Sequence, residues 1–374
     1  MHDRPSWADL AEEMNMFASR MPFAPFALVL ISLVSWTTPA SAQQSKLPQI
    51  VILATGGTIA GAAATGTQSG YTSGAVTIDA MLAAIPGIEK LATVKGEQIS
   101  NVGSQDMSFD ILLKLAKRIN ELASKGDVDG FVVTHGTDTM EESAYFLNLT
   151  VKTDKPVVMV GSMRPSTALS ADGPLNLYNA VAVAADPKAK GRGVLVVMND
   201  TIHGARALNK TSSTSVETFQ SPMSGEVGIV AYGKTKFFNT PIWKNTSRSE
   251  FDITSVTKMP RVDVIFASMD MSPDLIDAAV ANGAKGIVIA GVGNGNMNKA
   301  SVDAAAKAAK KGVIVVRSSR VLTGVIGRNV ELKDDDLGFV ASDELDPEKA
   351  RILLTLALLK TRTPADVQKL YYSY

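Results

Sequence analysis

Short apolar runs, each ending near a glycine or small polar residue and each followed by a helical pattern, recur from about residue 49 to the C-terminus. Runs this short and this apolar read as strands buried on both faces of a parallel sheet. They fall at 50–54, 130–133, 156–160, 193–198, 262–266, 286–289 and 312–316. Helical patterns occupy 78–84, 108–123, 139–149, 176–185, 273–281, 298–310 and 347–359. The alternation predicts an α/β fold of stacked βαβ units with right-handed crossovers. It stops between about 204 and 260, where Thr, Ser, Asn and aromatic residues read as hairpins and a connection. The expected architecture has two domains. A larger N-terminal one, 43–248, is a doubly wound, flavodoxin-like and mostly parallel sheet. A linker follows at 249–260, then a smaller C-terminal α/β domain at 261–374. A length of 374 residues fits that division.

Charge and composition exclude several classes. Lys and Arg number 37, as do Asp and Glu. Without a basic excess, neither nucleic acid nor an anionic membrane surface is an expected partner. Cysteine is absent, which excludes a thiol nucleophile, a disulfide framework and a cysteine-ligated metal. The three histidines are His2, His135 and His203, too few for a histidine-rich metal site. No metal site is expected from these residues. At the N-terminus, Arg20 precedes an apolar stretch at 23–36, then Pro39-Ala40-Ser41-Ala42-Gln43. Ala40-x-Ala42 suits a signal peptidase, so residues 1–42 read as a cleaved signal peptide and the location as periplasmic or secreted. An uncleaved anchor is the alternative. The acidic residues before Met21 are unusual for a signal, so translation starting at Met14, Met16 or Met21 is open.

Two threonines stand at strand ends, where open α/β sheets bind their ligands. Thr58 lies in Thr55-Gly56-Gly57-Thr58-Ile59, and Thr137 in His135-Gly136-Thr137-Asp138-Thr139. A threonine hydroxyl needs a base to become a nucleophile. Gly56, Gly57 and Gly136 let backbone N–H groups approach a substrate, which suits a developing oxyanion. The plainer reading makes both threonines helix caps and the glycines tight turns. Between the first turn and the first helix, 61–74 holds four glycines and one large ring, Tyr71, and reads as a lid. Lys210 sits among small polar residues; a desolvated lysine can act as a base, though a surface position is the commoner fate. Gly291-Val292-Gly293-Asn294-Gly295-Asn296 lacks dinucleotide or P-loop spacing and reads as a tight turn.

The two threonine motifs together resemble the paired signatures of the bacterial-type L-asparaginases, in particular the type II, periplasmic branch. Gly103-Ser104-Gln105-Asp106-Met107, Gly161-Ser162-Met163-Arg164-Pro165 and Val316-Arg317-Ser318-Ser319-Arg320 resemble that family too, and the likeness runs over about 48–374. It implies hydrolysis of L-asparagine to L-aspartate and ammonia, often with some L-glutamine hydrolysis, and no cofactor. It implies that Thr58 forms the acyl-enzyme and that Tyr71 helps activate it. Thr137 and Lys210 would then assist proton movement and water attack. Asp138 would grip the substrate's α-ammonium, while Ser104 and Gln105 hold its α-carboxylate and α-amino group beside Gly57. Glu331 matches an acidic residue reaching the site from a neighbouring subunit, and Asp270 stands where relatives commonly carry Asn or Ser. The resemblance therefore implies a homotetramer, a dimer of dimers, with sites completed across a subunit interface. Many type II members carry a cysteine pair; this chain has none. A periplasmic solute-binding protein and an amidase acting on another amide are the competing readings.

Overall fold

The computed structural model describes residues 46–68 and 70–374. The leader and its expected cleavage after Ala42 lie outside them. The large sheet contains β1 (Gln49–Gly56), β2 (Thr93–Val102), β3 (Gly130–Thr134), β4 (Val157–Val160), β5 (Val194–Met198) and β6 (Thr201–Gly204). A two-stranded ribbon, β7 (Asn209–Lys210) with β8 (Phe219–Gln220), lies beside it in sequence. β9 (Gly228–Ala231) and β10 (Lys234–Phe237) complete the large sheet. Its order is β10-β9-β6-β5-β4-β3-β1-β2, parallel from β5 through β2 and antiparallel beyond β5. The second sheet, β11 (Val262–Phe266), β12 (Gly286–Gly291), β13 (Ile314–Ser319) and β14 (Phe339–Ala341), is parallel throughout.

The apolar runs form strands because successive side chains point to opposite faces and both faces are covered. Val51, Leu53, Phe131, Val133, Val157 and Met159 fill one face of the large sheet. Ile50, Ile52, Val132, Val158 and Val160 fill the other. The first of these cores continues through Val288, Val316, Val340 and Leu353, so the two sheets share a packed interior. The helices Met140–Thr150 and Pro347–Ala357 lie against one another in that shared core.

Strand order decides where the site forms. β1 pairs with β2 on one side and β3 on the other, so the sheet winds outward in both directions from there. The crevice beyond the carboxyl ends at such a reversal is the ligand position of open α/β sheets. Three loops leave the sheet at that point, after β1, β2 and β3. The register places Ala54 opposite Thr134 and Gly56 opposite Val102. Thr58, Ser104 and Thr137 all follow within a few residues.

Candidate active site

Backbone contact without side chains brings the two threonine turns together. Gly57 has φ of +81°, and a Cβ there would lie 2.3 Å from the Gly136 amide nitrogen. A Cβ on Gly136 would lie 2.6 Å from Ser104 Oγ. Thr55 Oγ1 donates to Thr134 O at 2.8 Å, a further tie between the ends of β1 and β3. Gly57→Ala is expected to strain the backbone by about 1–3 kcal/mol and to force the two turns apart. Thermal unfolding and ammonia release should both register it, with turnover reduced at least about tenfold.

Neither threonine caps a helix. Gly57 precedes the short 3-10 turn Thr58–Ala60, and Thr139 precedes the helix Met140–Thr150. Both hydroxyls are committed to other groups. Thr58 is 6% exposed and its Oγ1 lies 2.5 Å from the Tyr71 hydroxyl. Tyr71 comes from the glycine-rich segment, whose backbone turns back through the Ala62–Thr72 bridge. The segment is pinned to 166–169: Ser166 N–H and Oγ donate to Gly61 O, and Ala63 N–H to Thr167 Oγ1. Gly61 is packed against the Tyr71 ring, where a Cβ would lie 2.7 Å from Cδ2.

Opposite stands the second group. Lys210 Nζ donates to Thr137 Oγ1 at 2.9 Å and to Asp138 Oδ1 at 2.6 Å. The lysine side chain is 15% exposed, so it is no surface residue, whereas Asp138 is 60% exposed. The second Asp138 oxygen has no partner among the described residues, and Asp138 lines a cavity together with Lys210 and 211–213. Ser104 is buried; its Oγ accepts the Asp138 N–H at 3.1 Å and its carbonyl accepts Thr139 Oγ1 at 2.8 Å. Gln105 is exposed beside it. A second cavity, lined by Asn148, Arg206, Trp243 and Asn245, holds none of these side chains.

Of the backbone N–H groups that the glycines let approach a substrate, that of Gly57 is already engaged. That N–H donates to Val102 O at 3.0 Å, because β2 runs alongside β1 to its very end. Gly57 serves by close approach, as its lack of a Cβ allows. The N–H groups of Thr58, Gly136 and Thr137 have no acceptor among the described residues, and they are the donors left for an anionic oxygen.

His135 is fully buried, with Nδ1 against Gly136 O at 2.6 Å and Nε2 without a partner. Burial pushes its imidazole down to about 4. It is therefore neutral at neutral pH and packs the strand end. Sequence reading passed over Glu141, which accepts the Lys210 backbone N–H at 2.8 Å. Its only signal is an acidic residue in the first turn of a helix, which normally reads as complementing the helix dipole.

Glu331 and Asp270 lie in the C-terminal region. Glu331 is exposed and accepts from Asn296 Nδ2, at the closing bridge of the Val292–Asn296 turn expected from its glycines. Asp270 is exposed with φ of +55°. Among the described residues neither bonds to Thr58, Thr137 or Lys210.

Two family models cover most of the chain: "Asparaginase, N-terminal" over 49–243 and "Glutaminase/Asparaginase C-terminal domain" over 261–371. A probable periplasmic L-asparaginase of Haemophilus influenzae is 51% identical over 333 residues, covering 89% of this chain and 95% of that protein. A glutaminase-asparaginase of Pseudomonas fluorescens is 44% identical over 360 residues, covering 94% and 98%. The crystal structure of a probable cytoplasmic L-asparaginase from Campylobacter jejuni superposes with a TM-score of 0.85 at 47% identity, covering 87% of this chain and all of that one. With both family models matched in order and relatives at about half identity over nearly their whole length, this chain belongs to the asparaginase family.

Proposed function

We propose that this chain hydrolyses the side-chain amide of L-asparagine to L-aspartate and ammonia through an acyl-enzyme on Thr58, with L-glutamine as a secondary substrate. The observation that carries this reading is the pairing of Thr58 with the Tyr71 hydroxyl, opposite a Lys210–Thr137–Asp138 cluster on an abutting loop. In the first half-reaction the Thr58 proton passes to Tyr71 Oη, which releases its own phenol proton toward the amide nitrogen, as Oγ1 attacks the amide carbon. The resulting oxyanion is met by the free N–H groups of Thr58, Gly136 and Thr137. The C–N bond then breaks, the nitrogen gains a proton, and ammonia leaves. In the second, water attacks the ester while Thr137 and Lys210 move its proton, and Thr58 recovers its hydrogen.

Binding follows from the same atoms. The open oxygen of Asp138 suits an α-ammonium, and Ser104, whose oxygen already accepts, has its hydroxyl proton left for an α-carboxylate. Gln105 completes that end. One methylene separates the two amides, a difference worth about 1–3 kcal/mol in a pocket, so partial glutaminase activity is natural. No cofactor enters any step.

The active unit in this reading is a homotetramer, with Glu331 and Asp270 each presented to a neighbouring copy's site. Exposed Val325 and Val330 near Glu331, and exposed Phe266, Met269 and Leu275 near Asp270, give such a contact apolar surface to bury. The leader and the periplasmic name borne by the Haemophilus relative support export after cleavage near Ala42. The family matches ending at 243 and beginning at 261 support a linker at 249–260. Ammonia release from purified 43–374, given L-asparagine and L-glutamine in parallel, tests the activity. Release faster from asparagine is expected. Binding of asparagine without release would make the chain a binding protein.

A further inference from the structure

Lys210 sits in a poor place for a residue that must be held still. β7 is two residues long, pairs among the described residues only with β8, and lies outside both larger sheets. Its position is fixed instead by three consecutive ties. Lys349 Nζ donates to Leu208 O at 2.6 Å, Asn209 Nδ2 donates to Asp346 Oδ2 at 2.8 Å, and Lys210 N–H donates to Glu141 Oε2 at 2.8 Å. Lys349 and Asp346 also pair with each other at the start of the helix Pro347–Ala357. Only the Glu141 tie falls on Lys210 itself. Glu141 lies one turn after Thr137 on the same piece of chain, so one rigid helix start carries both the threonine that Lys210 touches and the carboxylate that holds Lys210's backbone.

We propose that Glu141 is a positioning residue for Lys210: its carboxylate, bonded to the Lys210 N–H, sets the placement of the ammonium against Thr137 and Asp138 and thereby the rate of proton transfer. This rests on the reading of Lys210 as a group that moves protons in the reaction.

The tie responds to pH. Glu141 is half-buried, and desolvation raises its carboxyl to about 7. Lys349 opposes that rise, Asp346 and Glu348 add to it, and the Lys210 N–H opposes it. Glu142, next on the helix, faces Arg351. A charged carboxylate is the stronger acceptor. As pH falls through about 7 the charge is lost, the tie weakens, and kcat falls while substrate contacts remain. His135 does not supply that limb, since burial keeps it neutral down to about 4.

The test measures kcat and KM for L-asparagine from about pH 5 to 9 on the mature chain, its Glu141→Gln, Glu141→Ala and Lys210→Met variants. Wild type should show an acid limb in kcat near pH 7, with KM nearly flat. Glu141→Gln keeps the shape and an amide oxygen but cannot titrate; it should lose the limb and lower the plateau about threefold. Glu141→Ala should lower kcat about tenfold or more across the range, with KM within about twofold. Should Glu141→Ala fail to fold, Glu141→Gln decides through its pH profile. A Glu141→Gln profile with the wild-type limb, or a Glu141→Ala kcat equal to wild type, overturns the proposal. Substantial turnover by Lys210→Met instead removes the reading of Lys210 beneath it. An inactive Lys210→Met beside a wild-type-like Glu141→Gln removes only the role of Glu141.

Discussion

Thr58→Ala is expected to lower kcat for L-asparagine by about three orders of magnitude or more, the scale of losing a covalent nucleophile. The fold should survive. Thr58 is buried in a three-residue turn, and among the described residues its hydroxyl bonds only to Tyr71 Oη, itself on an exposed ring. Removing the hydroxyl empties little space and orphans no buried group, so the thermal midpoint should stay close to wild type. Circular dichroism with ammonia release checks both halves. Tyr71→Phe probes the same step from the other side, removing the group that receives the proton and leaving the ring against Gly61. Near-normal turnover by Thr58→Ala would end the nucleophile assignment.

The largest stability effect lies elsewhere. Arg317 and Asp334 form a fully buried pair, joined through Nε at 2.6 Å and Nη2 at 2.7 Å. The same guanidinium donates to the carbonyls of Asn294 and Gly327, and Asp334 also accepts the Asn329 N–H. The pair thus clamps the glycine turn after β12 to the segment that carries Glu331. Asp334→Ala leaves a buried guanidinium uncompensated and should cost about 3–5 kcal/mol. Denaturant unfolding measures it. Replacing both partners, Arg317→Met with Asp334→Leu, removes the charges together and should recover part of the loss. Full recovery is not expected, because the Asn294 and Gly327 carbonyls lose their donor.

What the sequence made legible follows burial. β1 and β3 are covered on both faces, so each reads as an unbroken apolar run, and the site threonines follow directly from their ends. β2 did not show itself: Thr93–Val102 is an edge strand, largely exposed, and its composition gives no apolar run. That one omission also hid the partner of the Gly57 N–H, since Val102 is the last residue of β2. The helix Pro364–Tyr371 was passed over as well, although Thr363 and Asp366 form a capping box around Pro364. Lys210 read as a surface lysine until resemblance singled it out, because its neighbours are small and polar and its partners lie 72 and 73 residues away. Glu141 was invisible for the same reason: a side chain holding a backbone amide 69 residues distant leaves no periodicity to detect.

The central claim is a covalent intermediate on Thr58, and trapping it is the most direct test. The enzyme is mixed with L-asparagine, quenched in acid within milliseconds, digested, and its peptides weighed. The account predicts that the peptide containing Thr58 becomes heavier by one aspartyl group, more so in Lys210→Met, where attack by water is slowed. An aspartyl group on the Thr137 peptide instead, or ammonia released with no labelled peptide at any quench time, would contradict it.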